Sequence, residues 1–458
     1  MADDGLVGRP ALELAELVRR RRVSPLEVLD AHLAQVDRLE PRVHAFLAVR
    51  AERAREEARA LGDAKDLADL PLAGVPIAVK DSVDVAGEPT RLGSLATSAA
   101  PAERDDELTR RMRAAGAVVI GKTSQPELAI WGMGESSLGV VRNPWNLERT
   151  TGGSSSGSGA AVAAAMVPIA QGSDGGGSIR IPAGLCGLVG IKPGGGVVPV
   201  AGGLPEHWFG LSEWGPLATT VADAAMLLDV LAGTERYRDP APPGRPLRIA
   251  LSLRSPAAGT RATREVRAAV EAGVDALRGA GHTVIVTDPP YSTKLSLLFL
   301  HRFFAGIAAE ADLLDLPVER LEPRTQAMVR LGRWLNRNRP VPAGGTDAWR
   351  ARMAAFFRDH DVLITPTTAK PAIHADGWAG RTWPSTLLEQ TYFVPFTQAW
   401  NVAGLPAASV PAGLSADGLP IGMQLVAPAG GEGLILSLAR QLEDLRPWPR
   451  QAPLAGMA

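Results

Sequence analysis

TTGGSSSGSGAAVAAAMVPIAQGSDGGGSIRIPAGLCGLVG, residues 150–190, is the stretch from which the rest of the chain can be read. It holds two Gly/Ser clusters joined by a compact apolar helix. Glycine lets the backbone turn sharply and come close to a reacting group. Serine supplies a small hydroxyl that serves as nucleophile or proton carrier. The joining AAVAAAMVPIA has side chains small enough to bury against a sheet. Ordinary linkers have no use for such a helix, so the two clusters are expected to frame one site on a sheet-and-helix scaffold.

The scaffold continues on both sides. Upstream, PLAGVPIAVKDSVDV (71–85) reads as a buried strand, ELTRRMRAAG (107–116) as a helix and AVVIGK (117–122) as a strand. This is the βα rhythm of an α/β sheet. Further upstream, Ser24-Pro25-Leu26-Glu27 is a capping box with proline at the first helical position. Downstream of a Pro-rich hinge at 239–246, RIALSL, HTVIV and DVLITPTT read as strands and 263–280 as a helix. AWNVAGLPAASVPAG and GLPIGMQLVAP read as a strand pair, with a last helix from about Gly433. The expected organisation is an N-terminal helical segment (1–65), a dense core (66–238) and a C-terminal part that completes the sheet (239–458). The apolar helical region at about 290–345 is the expected substrate lid.

Composition narrows the function classes. The chain has 458 residues, 46% of them apolar, and a formal net charge of −1. That supports a large core and gives no steering toward nucleic acid or an anionic membrane. The one basic run, Arg19 to Arg22, reads as a solvated helix end. The single cysteine, Cys186, excludes an intrachain disulfide. No secretory signal pattern opens the chain and no apolar run approaches a spanning length, so a cytoplasmic location is expected.

The second cluster, GSDGGGSIR (172–180), places three glycines before Ser178. Successive glycine amides aimed at one point are what an oxyanion hole requires. A serine nucleophile also needs a base. The seven histidines sit in charged helices, strand starts, loops or the apolar helical stretch, and no G-x-S-x-G elbow is present. Lys80 is the better base. It follows the apolar Pro76-Ile-Ala-Val79, and burial lowers a lysine's pKa because the ammonium loses its hydration. The competing reading pairs Lys80 with Asp81 or Asp84 at a strand end. Cys186 reads as a packed core thiol, and no Cys/His cluster has metal spacing. GAVVIGKT (116–123) matches a phosphate-loop pattern, the remote nucleotide-binding alternative. Its four intervening residues are apolar and largely β-branched, a strand rather than a turn.

Together these pieces resemble the amidase signature family. GVPIAVKDSVDVAG resembles its lysine motif, GGSSSGSGAAVAA its Gly/Ser signature, and GSDGGGSIRIPAGLCGLVGIKP its nucleophile motif. The tail from Phe396 to Pro428 resembles the family's C-terminal pattern. The resemblance implies a single large α/β/α domain with a central mixed, twisted sheet covered by helices on both faces. It implies a Ser-cisSer-Lys amidohydrolase that works through an acyl-enzyme and needs no metal or cofactor. Ser178 would be the nucleophile, Ser154 the bridging serine after a cis peptide, and Lys80 the base. Gly175, Gly176 and Gly177 would supply oxyanion amides. Asp174 and Arg180 would orient the loop, and Ser155 would support the network.

The same resemblance marks departures and limits. Gly175 stands where threonine is common, so a looser loop is expected. Gly194 and Val197 replace the usual threonine and arginine after Lys192-Pro193. Ile181 occupies a position where glutamine is common in tRNA-dependent amidotransferase subunits, which favours a free-standing hydrolase over that alternative. ELAIWGMGESS (127–137) should wall the pocket, with Trp131, Gly132 and Met133 as substrate-binding residues. Their character points to a small apolar or aromatic amide, with esters and carbamates as further candidates. His207-Trp208-Phe209 and the 295–314 helix are candidates for a hydrophobic lid. The expected partner is a small molecule, with neither nucleic acid nor membrane. Homodimer and monomer are both left open.

Overall fold

One mixed sheet of eleven strands runs through the molecule. The computed structural model describes residues 5–292 and 294–456. Met1 to Asp4 of the N-terminal reading, Thr293 of the lid region and the last two residues lie outside the described residues. In chain order the strands are β1 (Phe46–Val49), β2 (Pro76–Lys80), β3 (Val118–Thr123), β4 (Ile169–Asp174), β5 (Val189–Lys192), β6 (Glu213–Ala218), β7 (Arg248–Leu251), β8 (Thr283–Val286), β9 (Val362–Pro366), β10 (Ala407–Leu414) and β11 (Pro420–Val426). Their spatial order is β1-β3-β2-β4-β6-β5-β10-β11-β9-β7-β8. β2 runs parallel to both β3 and β4. β6 lies antiparallel between β4 and β5.

Alternation along the strands decides which side each residue serves. Ile77 and Val79 of β2 join one core cluster, with apolar residues of helices Glu107–Ala114, Val221–Ala232, Arg264–Gly279 and Glu432–Leu445. Ala78 joins another cluster, with Val118, Ile120 and Ala170 and with helices Pro25–Val43 and Ser156–Ala163. At the far end of the sheet, Ala250 and Leu363 pack with helices Leu295–Leu313 and Pro323–Asn338. Helices therefore cover both faces of a mixed sheet, as the α/β/α reading expects.

Several local expectations changed. Val118–Thr123 is a buried strand, so the GAVVIGKT match offers no phosphate loop. Phe46–Val49, read as helical, pairs antiparallel with β3 at the sheet edge. The strand in 71–85 spans only Pro76–Lys80. Gln398–Ala403, read as strand, is a short helix ended by Gly404 in the left-handed region (φ +66). The strand pair that follows is antiparallel, as read. The Ser24 capping box forms as expected, with Glu27 accepting from the Ser24 amide at 2.7 Å. Among the described residues no helix is long and apolar enough to cross a membrane.

Candidate active site

Lys80 is the last residue of β2 and is wholly buried. Its Nζ donates to Ser154 Oγ at 2.7 Å and to Ser173 Oγ at 2.8 Å. Burial pushes its pKa down to about 7, against the opposing charges of Asp174, Glu310 and Asp81. The competing strand-end pairing is not what the structure shows. Asp81 lies 3.5 Å from Lys122 Nζ instead and accepts the amides of Arg91 and Gly93.

Ser154 comes from the first Gly/Ser cluster and follows a cis peptide bond from Gly153. Helix Ser156–Ala163 begins just after it, inside the cluster rather than beyond it. The two clusters are stitched together directly. The Ser155 amide donates to the Ser178 carbonyl at 3.1 Å. Ser155 Oγ donates to the Ser173 carbonyl and accepts the Ser173 amide, both at 3.2 Å. Ser173 was not singled out from sequence. It lies within the quoted cluster, and only the fold shows that it is the second partner of Lys80.

The loop that carries Ser178 is held by one buried ion pair. Asp174 Oδ1 is 2.8 Å from Arg180 Nη2, and both side chains are fully buried. Asp174 also accepts from Asn401 Nδ2 at 2.9 Å. Burial pushes the Asp174 carboxyl up, but the Arg180 charge and hydrogen bonds, with Asn401 and Lys192, bring it well below the usual carboxylate range. Arg180 donates further to Gln424 Oε1 (2.7 Å), Asn401 Oδ1 (2.6 Å) and the Thr397 carbonyl (2.9 Å). Gln424 and Asn401 lie in the quoted C-terminal stretch, but no local pattern marks them as partners of a residue more than 200 positions away.

Gly177 departs from the expected set of three oxyanion amides. Its N–H donates to Asp174 Oδ1 at 2.6 Å, so that amide is already engaged in shaping the loop. Its φ of +128° also requires glycine. Gly175 has a different reason to be glycine. A Cβ there would lie 2.9 Å from Ser212 Oγ and 3.0 Å from the Trp208 ring. The space that threonine would fill is occupied by an indole, so the loop is packed rather than loosened. At Gly194 the amide donates to the buried Glu432 at 2.9 Å.

Ser154, Ser173, Gly175 and Ser178 form the floor of a cavity of about 650 Å³. Its walls come from 201–214 and from the later turns of helix Leu295–Leu313, including Gly306 and Glu310. Of the lid candidates, His207 and Trp208 line it and Phe209 does not. The expected wall residues Trp131 and Met133 are only 1% exposed, and neither lines the cavity. Trp131 packs in the core beneath the Arg324 guanidinium, 5.0 Å from its ring centroid. Of the 127–137 stretch Ala129 lines the cavity, and the backbone at Trp131 packs against Gly153, where a Cβ would lie 2.6 Å from the Trp131 carbonyl. The Gly132 amide donates to Gln390 Oε1 at 2.8 Å.

The thiol and the histidines are placed less favourably. Cys186 is buried, and burial pushes its thiol up, away from thiolate chemistry. His207 reaches the cavity, but its ring nitrogens face Ser212 (2.8 Å) and Glu310 (3.4 Å). Among the described residues no group of three His, Cys, Asp or Glu side chains could hold a metal ion.

Comparison with known proteins gives the family. The Amidase family model matches residues 27–436. AmiB2 of Mycobacterium tuberculosis (strain ATCC 25618 / H37Rv), named as an amidase, is 44% identical over 439 residues, covering 93% of this chain and 94% of that one. Among solved structures, 6-aminohexanoate cyclic dimer hydrolase superposes with a TM-score of 0.88 at 32% identity, covering 98% of this chain and all of the other. A bacterial aryl acylamidase of the amidase signature family superposes with a TM-score of 0.83 at 26% identity, over 99% and 100% of the two chains. The chain belongs to the amidase family and is a hydrolase of amide C–N bonds.

Proposed function

We propose that the protein cleaves a small amide through an acyl-enzyme on Ser178, with Ser154 as proton bridge and Lys80 as base. The observation that carries this reading is the 2.7 Å contact between buried Lys80 Nζ and Ser154 Oγ, on the same cavity floor as Ser178. A base is most effective when its pKa lies near the working pH, and burial brings Lys80 to about 7. In its neutral form the amine accepts the Ser154 hydroxyl proton as Ser154 Oγ takes the proton of Ser178. Ser178 Oγ then attacks the carbonyl carbon. The amides of Gly175, Gly176 and Ser178 receive the developing oxyanion, while that of Gly177 stays with Asp174. Ser154 returns the proton to the leaving nitrogen, the C–N bond breaks and the amine departs. Water repeats the cycle on the acyl-enzyme and releases the acid.

A cavity of about 650 Å³ is of the size that encloses a small molecule. Its apolar side chains, among them Leu92, Leu204, Trp208 and Leu313, favour apolar or aromatic groups beside the carbonyl. Esters and carbamates present the same electrophile and belong to the candidate range. The test is a panel of matched amides, anilides, esters and carbamates with wild type and Ser178→Ala. Hydrolysis that disappears in Ser178→Ala supports the proposal. Undiminished hydrolysis by Ser178→Ala contradicts it.

A further inference from the structure

Among the described residues lining the cavity, Glu310 is the carboxylate set into the wall rather than the rim, with a side chain 14% exposed. It sits one helical turn after Gly306, so the two share a face of helix Leu295–Leu313. That face is shaped to receive Trp208. A Cβ on Gly306 would lie 2.8 Å from Trp208, and the far edge of the same indole fills the space beside Gly175. Trp208 therefore bridges the nucleophile loop and the wall helix, and its Nε1 donates to Glu310 Oε2 at 2.9 Å. Trp208 and Phe209 both have positive φ, +50° and +55°, which bulky residues rarely adopt. Such backbone persists where the surroundings enforce it, often at ligand clamps.

This arrangement holds a carboxylate one indole width from the reacting loop. Trp208 occupies one of roughly four acceptor positions on this carboxylate, and His207 Nε2 lies 3.4 Å from Glu310 Oε1. The rest of the wall adds no compensating cation. Asp84 and Glu206 stand at the rim, and among the described residues lining the cavity there is neither lysine nor arginine. Glu310 is also electrostatically felt at Lys80, where its charge opposes the effect of burial. A neutral apolar substrate gives this carboxylate nothing to bind, whereas a protonated amine satisfies it and can lie against the indole face.

Building on the Ser178 amidase reading, we infer that Glu310, held by Trp208, anchors a positively charged nitrogen on the substrate. The preferred substrates are amides that carry a protonated amine beyond the scissile bond. Three amides of equal length, ending in ammonium, methyl or carboxylate, test this by their kcat/KM values. Wild type should favour the ammonium over the methyl compound by about tenfold or more, the scale of one hydrogen bond to a charged group. The carboxylate compound should be the poorest. Glu310→Gln keeps an oxygen for Trp208 Nε1 and should reduce the ammonium-to-methyl ratio toward one. A wild-type ratio of one or less overturns the anchor without any variant, as does a ratio that Glu310→Gln leaves unchanged. If all three amides are cleaved equally and only when Ser178 is present, the anchor fails and the amidase reading stands. If none is cleaved, both fail.

Discussion

The floor and the wall of the cavity are built on opposite principles. The floor, residues 150–192, is almost entirely buried and made of small residues whose amides and hydroxyls bond to one another. The wall, on the later turns of helix Leu295–Leu313, leaves Leu313 63% exposed. A floor in which one added methyl collides with backbone or a packed side chain fixes chemistry. A wall of protruding side chains on a helix can change without disturbing that chemistry, and so can decide what is admitted. Reaction and selection are thereby assigned to different parts of one cavity.

Substitutions in the two regions should separate accordingly. Ser178→Ala removes the proposed nucleophile and should lower kcat by about 10⁴-fold or more. A loss under tenfold would move the chemistry off the floor. Lys80→Met keeps the buried volume and removes the base, so kcat should fall by about 10²- to 10⁴-fold with the far-ultraviolet circular dichroism retained. For wild type the sign of the pH dependence follows from the lowered lysine pKa. The neutral amine is the active form, so kcat/KM for a neutral amide should rise with pH and level off above about 7. Below that value it should fall by about tenfold per pH unit. An activity independent of pH between 5 and 9 would break the link to Lys80. Gly177→Ala forces a Cβ to within 2.4 Å of Thr397 Oγ1 at a φ of +128°, so the apparent Tm should drop by several degrees. On the wall, Leu313→Ala should raise KM for an apolar substrate by about fivefold, the equivalent of about 1 kcal/mol of lost apolar contact. An effect there as large as that of Lys80→Met would erase the contrast.

The same contrast explains what could be read in advance. Lys80, Ser154 and Ser178 could be singled out because each lies in a short motif that resembles one of the family's, and the fold brings all three to one region. The sheet and most helices were legible from apolar, β-branched runs and from caps, as at Val118–Thr123 and at Ser24. Asp174 and Arg180 were legible as neighbours within one motif, though not their reach to Asn401 and Gln424. Trp208 and Glu310 were harder, because they meet across 102 positions and no local pattern records the fit between an indole and Gly306. Trp131 and Met133 misled for the converse reason. Large apolar residues next to a motif look like a pocket wall, but here they face the core. Gln398–Ala403 was read as strand because its short apolar run has no helical length, and its helix depends on Gly404 and on packing around Asn401.

In the proposed mechanism Ser178 forms the covalent bond and depends on Lys80 to do so. Active-site labelling tests it directly, by treating wild type, Lys80→Met and Ser178→Ala with a fluorophosphonate and mapping the adduct by peptide mass spectrometry. One adduct on Ser178 is expected in wild type, with strongly slowed labelling in Lys80→Met and none in Ser178→Ala. An adduct on another residue in wild type, or equal labelling of Ser178→Ala, would contradict it.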